Sequence, residues 1–139
     1  MATYNAINYT KQFVNVPSEK IPKGEQYGVM RVAYDKYSLA ADLSAGDYIN
    51  MMKLPAGARL IDATIKLGAL GAGSLDVGWE GDDDGIIDGV AHDAGSGRLN
   101  NEAGLMKVFS AETLIRVKVA VDTSATSGDI ELSLIYVVD

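Results

Sequence analysis

From Met30 onward, apolar side chains recur at every second position. Met30, Val32 and Tyr34 alternate with Arg31, Ala33 and Asp35, and Ile61, Ala63, Ile65 and Leu67 alternate with Asp62, Thr64 and Lys66. Leu75, Val77 and Trp79 repeat the pattern. So do Ile115, Val117, Val119 and Val121, and then Ile130, Leu132, Leu134 and Tyr136. A period of two puts one set of side chains on one face of a pleated strand. A further strand is expected over Asp47 to Leu54, after the turn Ser44-Ala45-Gly46. Leu54-Pro55-Ala56-Gly57 has Pro and Gly where a type I turn favours them. The glycine-rich stretch Gly68 to Gly73 and the polar stretch Asp122 to Gly128 read as hairpin connections.

Roughly seven or eight short strands separated by turns, with no convincing long helix and no internal repeat, give an all-β chain. The expected fold is an antiparallel two-sheet β-sandwich, jelly-roll-like. Its expected interior holds Met30, Val32, Ile61, Ala63, Ile65, Val117, Val119, Leu132 and Leu134. The last strand is apolar on both sides, with Ile135, Val137 and Val138 beside Leu134 and Tyr136. A domain of this size does not cover both faces of such a strand, so a self-association surface is expected, with a trimer favoured.

Two segments break the pattern. Residues 1–27 show no period of 2 or 3.6, and Pro17 and Pro22 bias their predecessors away from helix. This segment reads as an extended N-terminal arm, and 28–139 as a single sandwich domain. Tyr4, Tyr9, Phe13 and Tyr27 favour an arm that lies on its own domain or on a neighbour. Tyr4, Tyr9 and Phe13 are the candidate partner-binding residues. Residues 81–104 read as a long loop rich in Gly and Asp, with one helical turn near Asn101-Glu102-Ala103.

Composition narrows the function. The chain has 139 residues, 47% of them hydrophobic and 22% charged, enough for one folded domain. It has no apolar run long enough for a membrane-spanning helix, and its first residues lack the basic start and apolar core of a signal peptide. There is no Cys and one His, which removes thiol chemistry and multi-His metal sites. Net charge is −7, from 12 basic and 19 acidic residues, and no segment clusters Lys and Arg. Neither nucleic acid nor membrane is an expected partner.

Candidate chemistry is sparse. Asp76, Glu80, Asp82, Asp83, Asp84, Asp88 and Asp93 lie close together with no Lys or Arg among them. With Gly85 at the sixth place of an EF-hand-like loop, Glu80, Asp82, Asp84 and Asp88 fall at ligand places for Ca²⁺, but the twelfth is Ala91 rather than Glu. A solvated acidic loop without metal or other cofactor is the preferred reading. His92 stands beside Asp93, with Ser96 on a glycine-rich stretch, a spacing that encodes no rigid nucleophile–base pair; a surface His is expected. Gly68-Ala69-Leu70-Gly71-Ala72-Gly73 has no Lys and no following helix, so it is no phosphate loop. Trp79, Tyr34, Tyr37 and Tyr48 would form a sugar-stacking platform if they shared a face, which makes a carbohydrate-binding or host-surface-binding spike or fibre domain the alternative function.

Three stretches carry a family resemblance: Gly28-Val29-Met30-Arg31-Val32-Ala33-Tyr34-Asp35, then Ala45-Gly46-Asp47-Tyr48-Ile49, then Lys53-Leu54-Pro55-Ala56-Gly57-Ala58-Arg59-Leu60-Ile61-Asp62-Ala63. With Leu75-Asp76-Val77-Gly78-Trp79 and Asp82-Asp83-Asp84, they resemble small virion proteins of tailed bacteriophages, of the head-decoration and head-fibre type. The resemblance covers about residues 24–90. It implies a non-enzymatic β-sandwich component of the particle, placed on the outside of the head and made in the host cytoplasm. It further implies a homo-oligomer, commonly a trimer, with the major capsid protein as partner, and it brings no catalytic residues.

Overall fold

Each alternating segment is a strand in a computed structural model of the chain, which describes residues 1–21, 25, 28–124 and 127–138. The strands are β1 (Arg31–Ser38), β2 (Tyr48–Leu54), β3 (Ala58–Leu67), β4 (Ser74–Trp79), β5 (Asp82–Ala91), β6 (Ser96–Arg98), β7 (Val108–Phe109), β8 (Thr113–Val121) and β9 (Asp129–Val138). They form two antiparallel sheets. One runs β1-β9-β3-β6, with β7 also paired to β3; the other runs β2-β8-β4-β5. The expected two-sheet sandwich is the observed fold.

Leu60, Ile65, Leu132 and Leu134 from the first sheet meet Leu54, Leu75, Val77, Ile115, Val117 and Val119 from the second in one apolar core. Of the expected interior residues, Ala63, Ile65, Val117, Val119, Leu132 and Leu134 are buried. Met30 and Val32 are not: they are 67% and 64% exposed. The ladder pairs Ala33 with Leu134 and Val32 with Ile135. Because Leu134 faces the core, its partner Ala33 does too, and the larger Val32 points outward with Tyr34. Alternation separates two faces but does not say which is inside. Ile61 is only half-buried, because the β3–β9 register slips between Leu60 and Asp62. The bulge hands the inward place to Leu60, which is fully buried.

The two expected hairpins are also corrected. Gly68–Gly73 joins β3 to β4, and the segment after Asp122 joins β8 to β9; both connections pass from one sheet to the other. A polar, glycine-rich stretch signals a chain reversal and is silent on which sheet receives the next strand. The acidic stretch, expected as a loop, begins with the ten-residue strand β5. Ile86, Ile87 and Val90 are buried there, a spacing no regular strand gives. Its ladder with β4 shifts register twice, so the sequence loses the period of two. Near Asn101 the chain makes a hydrogen-bonded turn, Gly104 N donating to Asn101 O at 3.2 Å, without becoming a helix.

The arm, expected to be extended, contains a short helical stretch over Ile7–Tyr9 and Thr10–Val14. Pro22 and Tyr27, part of the arm in the sequence reading, lie outside the described residues.

Candidate functional site

Register explains how the acidic hairpin is built. From Trp79 back to Val77, β4 takes two residue steps, while β5 takes five from Asp82 to Ile87. The surplus arches over the outer face of β4 at Gly78. A Cβ on Gly78 would lie 2.1 Å from the Asp82 carbonyl oxygen, and one on Gly85 would lie 2.4 Å from the Trp79 ring. Glycine at both places lets the arch close down on the sheet.

The arch carries Asp83 across β4 to the two strands beyond. Arg116 Nη2 donates to Asp83 Oδ1 at 2.9 Å, Tyr48 Oη donates to Oδ2 at 2.9 Å, and Lys118 Nζ reaches Oδ2 at 3.4 Å. The Arg116 guanidinium also stacks over the Tyr48 ring at 4.0 Å. Lys118 is the ladder partner of Tyr48, and Arg116 of Asn50 and Gly78, all on the outward face between buried Ile115, Val117 and Val119. Burial pushes the Asp83 carboxyl up, but the hydrogen bonds from Tyr48, Arg116 and Lys118 outweigh it and hold the group below the ordinary range. The same hydrogen bond raises the Lys118 ammonium. Asp83 is therefore a clamp that fixes the arch to the sheet.

Its neighbours are strained in the opposite sense. Burial raises Asp76, helped by the charges of Asp84 and Asp88, although Gly89 N donates to Asp76 Oδ1 at 2.9 Å. Burial and then Asp84 raise Asp82. Asp84 thus acts on both Asp76 and Asp82, and Asp88 on Asp76.

The Ca²⁺ candidates are not gathered into one cage. Glu80 stands at the exposed hairpin tip, and Asp82 and Asp84 flank the clamp. Asp88 lies further along β5, its backbone held by Asn100 through bonds of 2.7 and 3.3 Å. Among the described residues, no group of three or more His, Asp or Glu side chains is arranged to hold a metal ion.

His92 is not a surface residue. It is 1% exposed, with Nδ1 2.7 Å from the Ala72 carbonyl oxygen and its ring packed against Gly73. It locks the β3–β4 connection, a role a lone His beside an Asp does not announce. The four aromatic residues of the sugar platform are separated. Tyr34 and Tyr37 belong to the first sheet and face opposite ways, whereas Tyr48 and Trp79 belong to the second. Trp79 packs edge-on against Phe109 at 5.2 Å, under Lys107.

Of the arm residues, Tyr9 and Phe13 are brought together, ring centroids 5.1 Å apart, and Tyr4, Tyr9 and Phe13 are all exposed. The arm is held by local contacts, among them Asn8 Nδ2 to Glu25 Oε1 at 3.1 Å and Asn15 Nδ2 to Glu19 Oε1 at 2.6 Å. The Asp83 clamp escaped the sequence reading. Its one signal was the outward run Tyr48, Arg116 and Lys118 on otherwise apolar strands.

The fold recurs in solved phage capsids. A chain of the cyanophage Pam1 capsid asymmetric unit matches with a TM-score of 0.70 at 19% identity, covering 90% of this chain and 96% of that one. A chain of the Ralstonia phage GP4 capsid matches with a TM-score of 0.63 at 21% identity, over 78% of this chain and 85% of that one. A chain of the capsid of Helicobacter pylori bacteriophage KHP30 matches with a TM-score of 0.55 at 13% identity, over 79% and 94%. Identities this low establish a shared fold and nothing beyond it. No protein-family model and no curated protein matches the chain.

Proposed function

We propose that the chain is a non-enzymatic structural component of a phage particle, a decoration protein docked on the outside of the head. In this reading its sandwich is a jelly roll, and three copies assemble on the major capsid protein. The observation that carries it is the match, over nearly the full length of both chains, to a chain of the cyanophage Pam1 capsid. Strand order supports the jelly roll: every connection from β1 to β9 crosses between the sheets, except β4 to β5 and the step to the short β7. Chemistry supports the structural role, since one acid of the β4–β5 hairpin, Asp83, is spent on an internal clamp. The exposed aromatic residues of the arm supply contact area, and rigid rings cost little entropy to immobilise.

The test is an electron-microscopy map of the particle together with co-sedimentation of the purified chain with heads that lack it. Density for this sandwich on the outer capsid lattice, and saturable binding to the heads, are expected. Density on the tail or fibres, or no binding to heads, would overturn the decoration role. Glycan binding lost on Trp79→Ala would favour the host-surface alternative.

A further inference from the structure

Strand β5 contains two Asp-Gly bonds, Asp84–Gly85 and Asp88–Gly89, and the fold treats them differently. An Asp-Gly bond is the aspartyl bond most prone to rearrange at neutral pH, because no side chain crowds the glycine nitrogen. That nitrogen attacks the side-chain carbonyl carbon of the aspartate, giving up its proton, and water leaves as a five-membered succinimide closes. Water then reopens the ring at either carbonyl. One opening returns aspartate; the other gives isoaspartate, in which the backbone runs through the side chain. One water is lost and one regained, so no oxidant, reductant or cofactor is needed.

At Asp84–Gly85 the surroundings oppose this reaction. Gly85 is buried, and a Cβ on it would lie 2.4 Å from the Trp79 ring and 2.9 Å from Asp82 Cγ, which leaves no space for a new ring. Asn101 Nδ2 also donates to the Asp84 carbonyl oxygen at 2.9 Å. Asp88–Gly89 stands in the opposite condition. Leu75 pairs with Val90 and Val77 with Ile87, so Asp76 alone faces both Asp88 and Gly89 across a bulge. Both residues are exposed, Gly89 has a φ of 72°, and a Cβ on it would meet nothing within 4 Å. Asn100 holds the Asp88 backbone, whereas the Asp88 carboxylate has no hydrogen bond or ion pair among the described residues. One contact restrains the attacking nitrogen: Gly89 N donates to Asp76 Oδ1 at 2.9 Å, a charge-assisted bond.

We propose that Asp88–Gly89 is the bond at which this chain converts to isoaspartate, with Asp76 as the positioning residue that holds the conversion back. The Gly89 nitrogen turns on Asp88 only when it releases Asp76 Oδ1. An exposed bulge releases such a contact at lower cost than the paired ladder on either side. Conversion lengthens the backbone between Ile87 and Val90, so their pairings with Val77 and Leu75 can no longer both be kept. The inference is independent of where the chain sits on a particle.

The full-length chain is aged in neutral buffer for several weeks, folded and in urea, and isoaspartate at each bond is counted by fragmentation mass spectrometry. In urea the two bonds should convert at similar rates, since their local chemistry is alike. In the folded chain Asp88 should convert at least threefold faster than Asp84. Equal rates when folded, faster conversion at Asp84, or none at Asp88 overturns the site. Asp76→Ala should raise conversion at Asp88 at least threefold and leave Asp84 unchanged. Asp76→Asn, which keeps Oδ1 as acceptor, should stay within twofold of the parent. A rate at Asp88 that Asp76→Ala leaves unchanged or lowers overturns the restraint, and lowering would mark Asp76 as the base. A parallel rise at Asp84 would trace to general loosening of the fold and overturns the restraint as well.

Discussion

Asp83 shows how much of the second sheet's outer face depends on one carboxylate. Its acidity is depressed, so it contributes stability above the ordinary carboxylate value of about 3.9, and that contribution is lost as pH falls through its lower folded value. Asp83→Asn should therefore melt lower than the parent at pH 7. The expected cost is about 1 kcal/mol, since the cluster is partly solvated, and the difference should narrow as the pH is taken below 4. Asp76 has the opposite sign. Its folded value is raised, so ionisation at neutral pH opposes folding, and Asp76→Asn, which keeps Oδ1 as acceptor for Gly89 N, should melt higher at pH 7 and no higher at pH 3. Melting curves from pH 2.5 to 7 check both; an Asp83→Asn deficit that widens on acidification would refute the clamp. None of this could be read along the chain, because the partners of Asp83 lie 33 and 35 residues away on strands whose adjacency is a tertiary fact.

At the scale of elements, the β4–β5 hairpin depends on Gly78. Gly78→Ala must displace backbone, not a side-chain tip, so a loss of about 1–3 kcal/mol is expected by chemical denaturation, with the midpoint falling and the slope little changed. A neutral result would show that the arch lies further from β4. The hairpin's acids are expected to leave the melting temperature within a degree or two in millimolar Ca²⁺, with Mg²⁺ doing the same. A specific site at 100 times its dissociation constant would add about 2.7 kcal/mol, or roughly 5–15 °C, and a Ca²⁺-selective shift abolished by Asp82→Ala would establish one. The strands β8 and β9 were legible because their inward sites repeat every second residue, and β3 was legible beyond its bulge, over Ala63, Ile65 and Leu67. Strand β5 was not, since its bulges bring Ile86, Ile87 and Val90 to the core out of step.

For the whole molecule, the division into arm and sandwich predicts separable behaviour. Deleting residues 2–22 should leave far-UV circular dichroism β-rich and melting cooperative, while self-association in light scattering and binding to heads are reduced at least tenfold. Loss of folding would make the arm part of the core. The chain's local pattern was enough for the all-β class, the turn at Leu54–Gly57 and the buried places of Val117, Val119, Leu132 and Leu134. Each of these follows from short-range rules: residue period, turn chemistry and composition. Tertiary structure alone decided that Ala33, not Val32, faces inward, that β3–β4 and β8–β9 cross between sheets, and that His92 is interior. It likewise decided that Asp83 is spent on Tyr48, Arg116 and Lys118. The physical reason is common to these cases. A period of two leaves the sign of the face and the identity of the neighbouring strand open, and only long-range pairing with a strand already seated on the core removes that freedom.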